Sequence, residues 1–396
     1  MPVNYQDIKQ QIKQNVSQMR LQQVERNARL ELAQRLLEQY AGEVEFLQQR
    51  VEVVSRLFGL RCARPLYEPL DFCAEAPIDH ACPVVLAADG SQVNPSRHDE
   101  VVFGLINVGL FRMMPGQPAT EVADGHLFSD DELYPAQGGM INEDLVALKR
   151  DLRERNFLLE KAHQEDELVL ALVDGPLFYR KPRDVSGAYA DAELEKAFAE
   201  FLNVNNKLAH HGIAMVGYVD KPGADLLIRL LELADTPPSE LAQADKHRPL
   251  RRVSDVNLLG KFLAPGQRSA VFALESTDAR IFSEQTKPHF FYLNVGTATK
   301  SYLVRVEIPA WVARDTELTG TIHAVLLEQC RMMGQKPYPY ALYRAHEIAL
   351  VTFKEKQQIG EMIAFELRRQ GQMPEGGSNK QSAKDAASGG KGRYNG

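Results

Sequence analysis

The sequence lacks long hydrophobic runs. No stretch of 18 consecutive apolar residues occurs among its 396 residues, so neither a transmembrane helix nor a membrane partner is expected. The first residues, MPVNYQDIKQQIKQ, are polar and contain no apolar segment of the kind that a signal peptide needs. Together these absences predict a cytoplasmic protein.

Cysteine is also scarce. The chain has four cysteines, Cys62, Cys73, Cys82 and Cys330. Three of them fall within 21 residues, but no C-x2-C pair occurs and Cys330 is far away, whereas structural zinc sites use closely spaced pairs. Reduced, partly buried thiols are therefore expected.

A third absence concerns nucleotide binding. The sequence has no G-x-x-x-x-G-K-[ST] loop and no convincing glycine cluster for an adenosine site, so an actin-like ATPase ranks last among the functions considered. The net charge of −7 argues against a protein that coats nucleic acid nonspecifically. That charge is compatible with a nuclease, because metal-binding carboxylates add negative charge and a local basic groove or a partner subunit can hold DNA.

Apolar spacing divides the chain into three regions. Residues 1–58 are expected to form an N-terminal helical arm with a candidate break at Ala41-Gly42. This arm either packs on the main domain or binds a partner. The main domain is expected over residues 59–369. Residues 370–396, rich in Gly, Ser and Lys, are expected to be a disordered tail.

Within the main domain, the pattern from residue 83 onward reads strand, strand, strand, helix, strand, helix, strand. This is the order of an RNase H-like fold, an α/β fold with a mixed sheet flanked by helices. Residues 235–254 are interpreted as a loop or an inserted lid, and one final helix is expected over 339–369. The other expected segments are strands at 83–91, 101–111, 120–123, 168–173 and 213–219, and helices at 142–162 and 191–210.

Two carboxylates follow apolar runs that are typical of buried strands. Asp89 closes the first strand and Asp174 the fourth, each followed by glycine. If these strands are neighbours, the two carboxylates lie about 4.8 Å apart and can share a divalent cation. Hard oxygen ligands suit Mn²⁺ or Mg²⁺, and two such ions support phosphodiester hydrolysis. Asp-Gly pairs are common in turns, and these two also fit a phosphatase or an actin-like ATPase.

The helix at 142–162 and the final helix can complete such a site. Among the helical acids we favour Glu154, with Glu160 on another face as the alternative. His346 has apolar neighbours, which by themselves favour a buried structural histidine. The RNase H order reverses that preference, because the final helix of the fold faces the metal site. The acidic residues on the first of these helices are Glu143, Asp144, Asp151, Glu154 and Glu160.

Seven blocks of sequence within about residues 83–365 match one known family. The blocks are Ala88-Asp89-Gly90-Ser91-Gln92, Leu172-Val173-Asp174-Gly175-Pro176-Leu177, Gly217-Tyr218-Val219, Pro265-Gly266-Gln267-Arg268-Ser269, Phe290-Phe291-Tyr292-Leu293, the run from Arg305 to Val312, and Tyr338-Pro339-Tyr340-Ala341-Leu342 leading to Ala345-His346-Glu347. Through them the sequence resembles the NurA family of nucleases. In the second block, Pro176 stands where the family usually has Ser.

The resemblance implies a Mn²⁺- (or Mg²⁺-) dependent 5′ to 3′ DNA exonuclease, with endonuclease action on single strands. It also implies a homodimer that docks on a HerA-like hexameric ATPase during DNA end processing. Carried over by position, Asp89, Glu154 and Asp174 would be metal ligands, and His346 matches the family's histidine near the metals. Asp255 is left out because Val256 follows it where the family commonly has a basic residue.

Arg268 and Arg305, in two of the matching blocks, are candidate contacts to DNA phosphates. The alternative is that they are surface or ion-paired arginines. The second function from another class is a catalytically idle scaffold that loads a DNA translocase through the N-terminal helix. The sequence is compatible with DNA repair and with antiphage defence.

Overall fold

The computed structural model describes residues 4–135, 139–178 and 188–373, with the side chains of residues 14, 17 and 188–191 left out. The expected disordered tail therefore lies almost entirely outside the described residues. The chain forms two compact units. The first unit comprises Met1–His80 and Gly217–Pro337, and the second comprises Ala81–Val216 and Tyr338–Gly396.

The described strands are β1 (Cys62–Pro65), β2 (Cys73–Ala74), β3 (Val84–Val93), β4 (Leu105–Met113), β5 (Thr120–Leu127), β6 (Val169–Asp174), β7 (Ala214–Val219), β8 (Arg268–Ser269), β9 (Phe272–Glu275), β10 (Pro288–Asn294) and β11 (Leu303–Pro309). The described α-helices are α1 (Tyr5–Tyr40), α2 (Val44–Leu57), α3 (Asp130–Leu133), α4 (Glu143–Ala162), α5 (Ala188–His210), α6 (Leu226–Asp235), α7 (Asp255–Leu259), α8 (Ala310–Ala313), α9 (Thr316–Met332), α10 (Tyr340–Ala349) and α11 (Phe353–Arg369).

The second unit contains a mixed sheet in the order β7-β6-β3-β4-β5, with the boundary between the units falling inside β7. Strand β3 pairs in parallel with β6 and antiparallel with β4, which in turn pairs antiparallel with β5. Helices α4 and α10 both pack against β3 and β4. The expected order of strands and helices is present, and the RNase H-like fold class is confirmed.

The two helices cover opposite faces of this sheet, which explains why β3 and β6 begin as continuous apolar runs. Gly90 faces α4, whereas its neighbour Ser91 donates a hydrogen bond of 2.5 Å to the carbonyl of Ala349 in α10. Asn107 donates to the same carbonyl at 2.8 Å. These bonds satisfy a carbonyl that the end of α10 would otherwise leave without a partner. Gly109 permits the close approach, since a Cβ there would lie 2.5 Å from the Ala349 nitrogen.

Several expected boundaries in the second unit were wrong, and two of them lie next to the candidate site. Strand β3 does not end at Asp89 but continues to Val93, because β4 keeps pairing with it after β6 has ended. The single final helix is divided into α10 and α11. Thr352 begins α11 with a capping box, in which its hydroxyl accepts from the Glu355 nitrogen and the Glu355 carboxylate accepts from the Thr352 nitrogen.

In the first unit the strand order is β1-β9-β10-β11-β7, with β8 joining β2 to β10. Helix α2 and the second half of α1 pack on this unit with α6, and the expected helix break lies at Ala41-Gly42. Residues 235–254 are not a lid, because Leu241, Leu250 and Val253 are buried in the same core. The first half of α1 carries an exposed apolar stripe of Tyr5, Ile8, Ile12, Val16 and Met19.

None of the described helices has both the length and the apolar character to span a membrane. The four cysteines are free thiols, as expected. Cys62 and Cys330 are buried, and Cys73 and Cys82 are exposed.

Candidate metal centre

The end of β6 brings the two predicted strand carboxylates to neighbouring positions. The last pair of the parallel ladder is Ala88↔Val173, so Asp89 and Asp174 occupy the next register position. Neighbouring strands lie about 4.8 Å apart, and side chains at the same register of a parallel pair point to the same face. Asp174 is the last residue of β6 and is exposed, whereas Asp89 is half-buried.

His346 lies directly on Asp89. The distance from His346 Nδ1 to Asp89 Oδ2 is 2.6 Å. The other carboxylate oxygen of Asp89 accepts from the Gly90 nitrogen at 2.9 Å. Within the described chain, His346 Nε2 has no protein partner, and 60% of the side chain is exposed. The imidazole is therefore not the buried structural histidine that its apolar neighbours alone would predict.

Glu154 is the helical acid that faces the sheet. It is 6% exposed, and its Oε1 lies 2.5 Å from where a Cβ on Gly90 would stand, so the carboxylate lies close to the Gly90 backbone of β3. Burial is the largest cause that raises the pKa of Glu154, and the carboxylates of Asp151 and Asp89 raise it further. This environment favours the protonated form of Glu154.

Glu160, the alternative helical acid, is placed elsewhere. Its side chain is 63% exposed and pairs with neighbouring Lys161 at 3.0 Å. On α4 the two glutamates therefore differ in both burial and neighbours. The geometry brings Glu154 to the Asp89 strand and leaves Glu160 on the outer surface.

Arg150 supplies the positive charge among these carboxylates. Its guanidinium lies 2.9 Å from Asp151 and 3.4 Å from Glu154. Burial lowers the pKa of Arg150, but the negative charges of Asp151, Glu154 and Asp89 raise it by more, so the pKa is raised overall. Sequence reasoning missed Arg150. The available signal was its position four residues before Glu154, which puts both side chains on one helical face.

The residue types fit a hard divalent cation. Asp89, Asp174 and Glu154 offer carboxylate oxygens, and His346 offers an imidazole that suits Mn²⁺. Burial, and to a lesser extent the carboxylates of Asp151 and Asp89, raise the pKa of Glu154, and a divalent cation would stabilise its ionised form. As the side chains stand, however, no three His, Cys, Asp or Glu side chains of the described residues are grouped tightly enough to hold a metal ion.

The two arginines considered as DNA contacts, and Asp255, lie in the first unit. Arg268 is buried and forms a two-pronged ion pair with Glu68, at 2.9 and 3.2 Å. Arg305 is buried against Glu307 at 2.6 Å. Both arginines are therefore ion-paired with a carboxylate, which was the alternative to a contact with DNA phosphates. Asp255 is fully buried and accepts from the nitrogens of Leu226 and Ile228, a cap on α6.

Comparisons with known proteins show the family and the fold. The NurA domain model matches residues 83–351. The NurA nuclease of Sulfolobus solfataricus has a similar structure, with a TM-score of 0.52 and 13% identity over 84% of this chain and 94% of that chain. The catalytic domain of human endonuclease V matches with a TM-score of 0.34 and 11% identity, over 81% of this chain and 98% of that chain. No curated protein matches the sequence.

Proposed function

The chain belongs to the NurA family, and from that premise we propose that it is a divalent-metal-dependent DNA nuclease whose reaction centre is the Asp89 cluster. The observation that supports this most is the placement of four chemically suited side chains on β3, on its parallel neighbour β6 and on the two helices that pack against β3. Asp89 and Asp174 share a register position, His346 touches Asp89, and Glu154 is buried beside Gly90. The proposed ions are two Mn²⁺ or Mg²⁺, held by Asp89, Glu154, Asp174 and His346.

A divalent ion held there supplies positive charge that offsets the negative charge developing on the phosphate oxygens during phosphodiester hydrolysis. The protein's own contribution is placement. Asp89 orients the imidazole of His346 through Nδ1, which leaves Nε2 as the nitrogen that would hold an ion. Glu154 would hold an ion through its ionised carboxylate, a form that burial and the neighbouring carboxylates make costly without a cation.

The direct test uses the purified full chain, Mn²⁺ and end-labelled DNA. We expect degradation that stops with EDTA and falls by at least about 100-fold in Asp89→Asn and Glu154→Gln, since several kcal/mol of charge stabilisation are lost. Glu160→Gln is the matched control on the same helix, and we expect it to retain full activity because Glu160 is exposed. Mn²⁺ binding followed by electron paramagnetic resonance gives a second readout that does not depend on turnover.

A catalytically idle scaffold is the second candidate function. The observation in its favour is the exposed apolar stripe on the first half of α1, which is suited to a partner. If the protein cleaves DNA with none of the metals tried, whether or not an ATPase partner is present, the scaffold function is supported and the nuclease function is not. Cleavage that survives Asp89→Asn would likewise remove the nuclease proposal for this site.

The finer properties follow from the family. We propose 5′ to 3′ exonuclease action with endonuclease action on single strands, a homodimer, and work beside a HerA-like hexameric ATPase in DNA end processing. A 5′ label should be released as mononucleotide at the start of the reaction, whereas a 3′ label should give a ladder of shortening fragments. Light scattering tests the dimer, and co-purification with a HerA-like ATPase tests the partner.

A further inference from the structure

The first unit contains a cavity of about 650 Å³ whose charges are not balanced. Its volume lies in the range of small-molecule sites. Each acidic side chain that lines it already has a cationic partner: Glu52 pairs with Arg56, Glu275 with Arg280 at 2.9 Å, and Glu284 with Lys287. The remaining charges in the lining are the guanidinium groups of Arg64 and Arg314.

Arg64 is the less usual of these two. It lies on β1 and is half-buried, and its side chain forms no hydrogen bond or ion pair with any residue that the structure describes. Arg314 donates only to a backbone carbonyl, that of Glu284, at 3.1 Å. A half-buried guanidinium without an acceptor gives up part of its hydration without compensation, and its planar donors match the oxygens of a phosphate. The lining therefore offers two guanidinium groups that form no hydrogen bond to a carboxylate of the described residues and are suited to an anion.

His289 supplies an independent observation at the same place. It is 8% exposed and lines the cavity. Its Nδ1 bonds to the carbonyl of Lys287 at 3.0 Å, and its Nε2 has no partner among the described residues. Arg64, Arg314 and Lys287 are all close enough to act on the imidazole electrostatically. Three cationic side chains therefore act on one imidazole in this wall of the cavity, a concentration of positive charge that suits an anionic ligand.

Tyr67 gives the cavity an aromatic wall. Its side chain is 52% exposed, and its hydroxyl is anchored on the carbonyl of Ala313 at 3.4 Å. Nucleobases stack on exposed aromatic rings of this kind. We propose that this cavity binds a nucleotide through its terminal phosphate, with Arg64 and Arg314 holding the phosphate and Tyr67 the base. The nucleotide is either a free deoxynucleoside monophosphate or the last nucleotide of a strand.

This site is distinct in residues from the Asp89 cluster, so the proposal does not rest on nuclease activity. Binding is measured by isothermal titration calorimetry with the full chain in EDTA, which prevents metal-dependent cleavage. We expect deoxyadenosine 5′-monophosphate to bind and deoxyadenosine, which lacks the phosphate, to bind at least about 10-fold more weakly, since a charge-assisted hydrogen bond is lost. Tighter binding of a 5′-phosphorylated ten-nucleotide strand than of its 5′-hydroxyl form assigns the site to strand ends, and equal binding assigns it to free mononucleotides.

Arg64→Gln should weaken binding of the monophosphate about 10-fold or more, with Arg64→Lys intermediate because it keeps the charge but loses the planar pair of donors. Arg314→Gln is the second variant. Arg314 is exposed, so this change tests the site even if Arg64→Gln impairs folding. Arg50→Gln is the matched control, because Arg50 belongs to the same unit but lies over the Phe46 ring, outside the lining. Undetectable binding of the monophosphate, or binding that neither Arg64→Gln nor Arg314→Gln weakens, overturns the proposal.

Discussion

Gly90 is the residue of β3 that faces Arg150 and Glu154 of α4. Replacing it with alanine tests the arrangement of the candidate metal centre without removing any candidate ligand. A Cβ at this position would lie 2.5 Å from Glu154 Oε1 and 2.7 Å from Arg150 Cγ. Ordinary contacts of these atoms are about 3.4 Å or longer. The carboxylate of Glu154 must therefore move by nearly 1 Å away from the strand that carries Asp89.

The expected magnitude follows from which atoms move. Both obstructing groups are ends of flexible side chains, so the fold can adjust, and the cost in stability should be near the low end of overpacking, about 1 kcal/mol. Activity should suffer more, because a displacement of about 1 Å in a reacting group can cost roughly 100-fold in rate. Gly90→Ala is thus expected to be folded, nearly as stable as the wild type, and about 100-fold less active.

Two glycines of the same sheet provide controls. At Gly125, on β5, the nearest atom to an added Cβ is Asn107 Oδ1 at 3.8 Å, so Gly125→Ala should leave both stability and activity unchanged. At Gly109 the obstruction is backbone of α10, with the Ala349 nitrogen at 2.5 Å, which no change of rotamer can relieve. Gly109→Ala should therefore be destabilised by more than Gly90→Ala and should also lose activity.

The assay pairs urea denaturation with cleavage of end-labelled DNA in Mn²⁺. The reasoning fails if Gly90→Ala cleaves DNA at the wild-type rate, because Glu154 would then not need its place beside Asp89. It also fails if the loss of activity is matched by a loss of stability as large as that of Gly109→Ala.

Two further predictions concern stability in the first unit. Burial lowers the pKa of His323 to about 4. Between pH 6.5 and 4 the unfolded chain therefore binds a proton at this histidine, whereas the folded chain does not. The free energy of unfolding should fall by up to about 3 kcal/mol over this pH range. His323→Gln can still donate to the Gly266 carbonyl, and urea titrations at both pH values should show a smaller fall, while a fall equal to that of the wild type would contradict the assignment. Asp255→Ala removes the acceptor of the Leu226 and Ile228 nitrogens and of the Tyr292 hydroxyl. It should lower the free energy of unfolding, measured in urea at pH 7, by roughly 3 kcal/mol or more. A loss under about 1 kcal/mol would show that water replaces the carboxylate.

Much of the second unit could be predicted from its sequence because its signals are local. Continuous apolar runs marked β3 and β6, and Asp174 was correctly placed at a strand end. The extension of β3 beyond Asp89 could not be predicted in this way. Asp-Gly-Ser is typical of a turn, and only the continued pairing with β4 keeps these residues in the strand. The division between α10 and α11 did have a local signal, the capping-box pair Thr352 and Glu355.

The choice between the helical acids needed the orientation of α4. Leu158 is buried, and Glu154 lies four residues before it on the same face of α4. The spacing from Leu158 was thus a signal in the sequence for Glu154 over Glu160, although Glu154 was favoured for its position near the middle of the helix. It could not show that Gly90 makes the room for Glu154 or that Arg150 neutralises it, because both depend on which strand the helix crosses.

Arginines show the limit of sequence reasoning most clearly. Arg268 and Arg305 were chosen because they lie in blocks that resemble the family, yet each is buried with a carboxylate of its own, Glu68 and Glu307 respectively. Arg64 lies outside those blocks and is left without a protein acceptor. Whether a guanidinium can bind a phosphate depends on whether a carboxylate already occupies its donors, and partners such as Glu68 and Arg268 are far apart in sequence. Residue identity fixes the charge, but only the tertiary contacts decide which charges remain for a ligand.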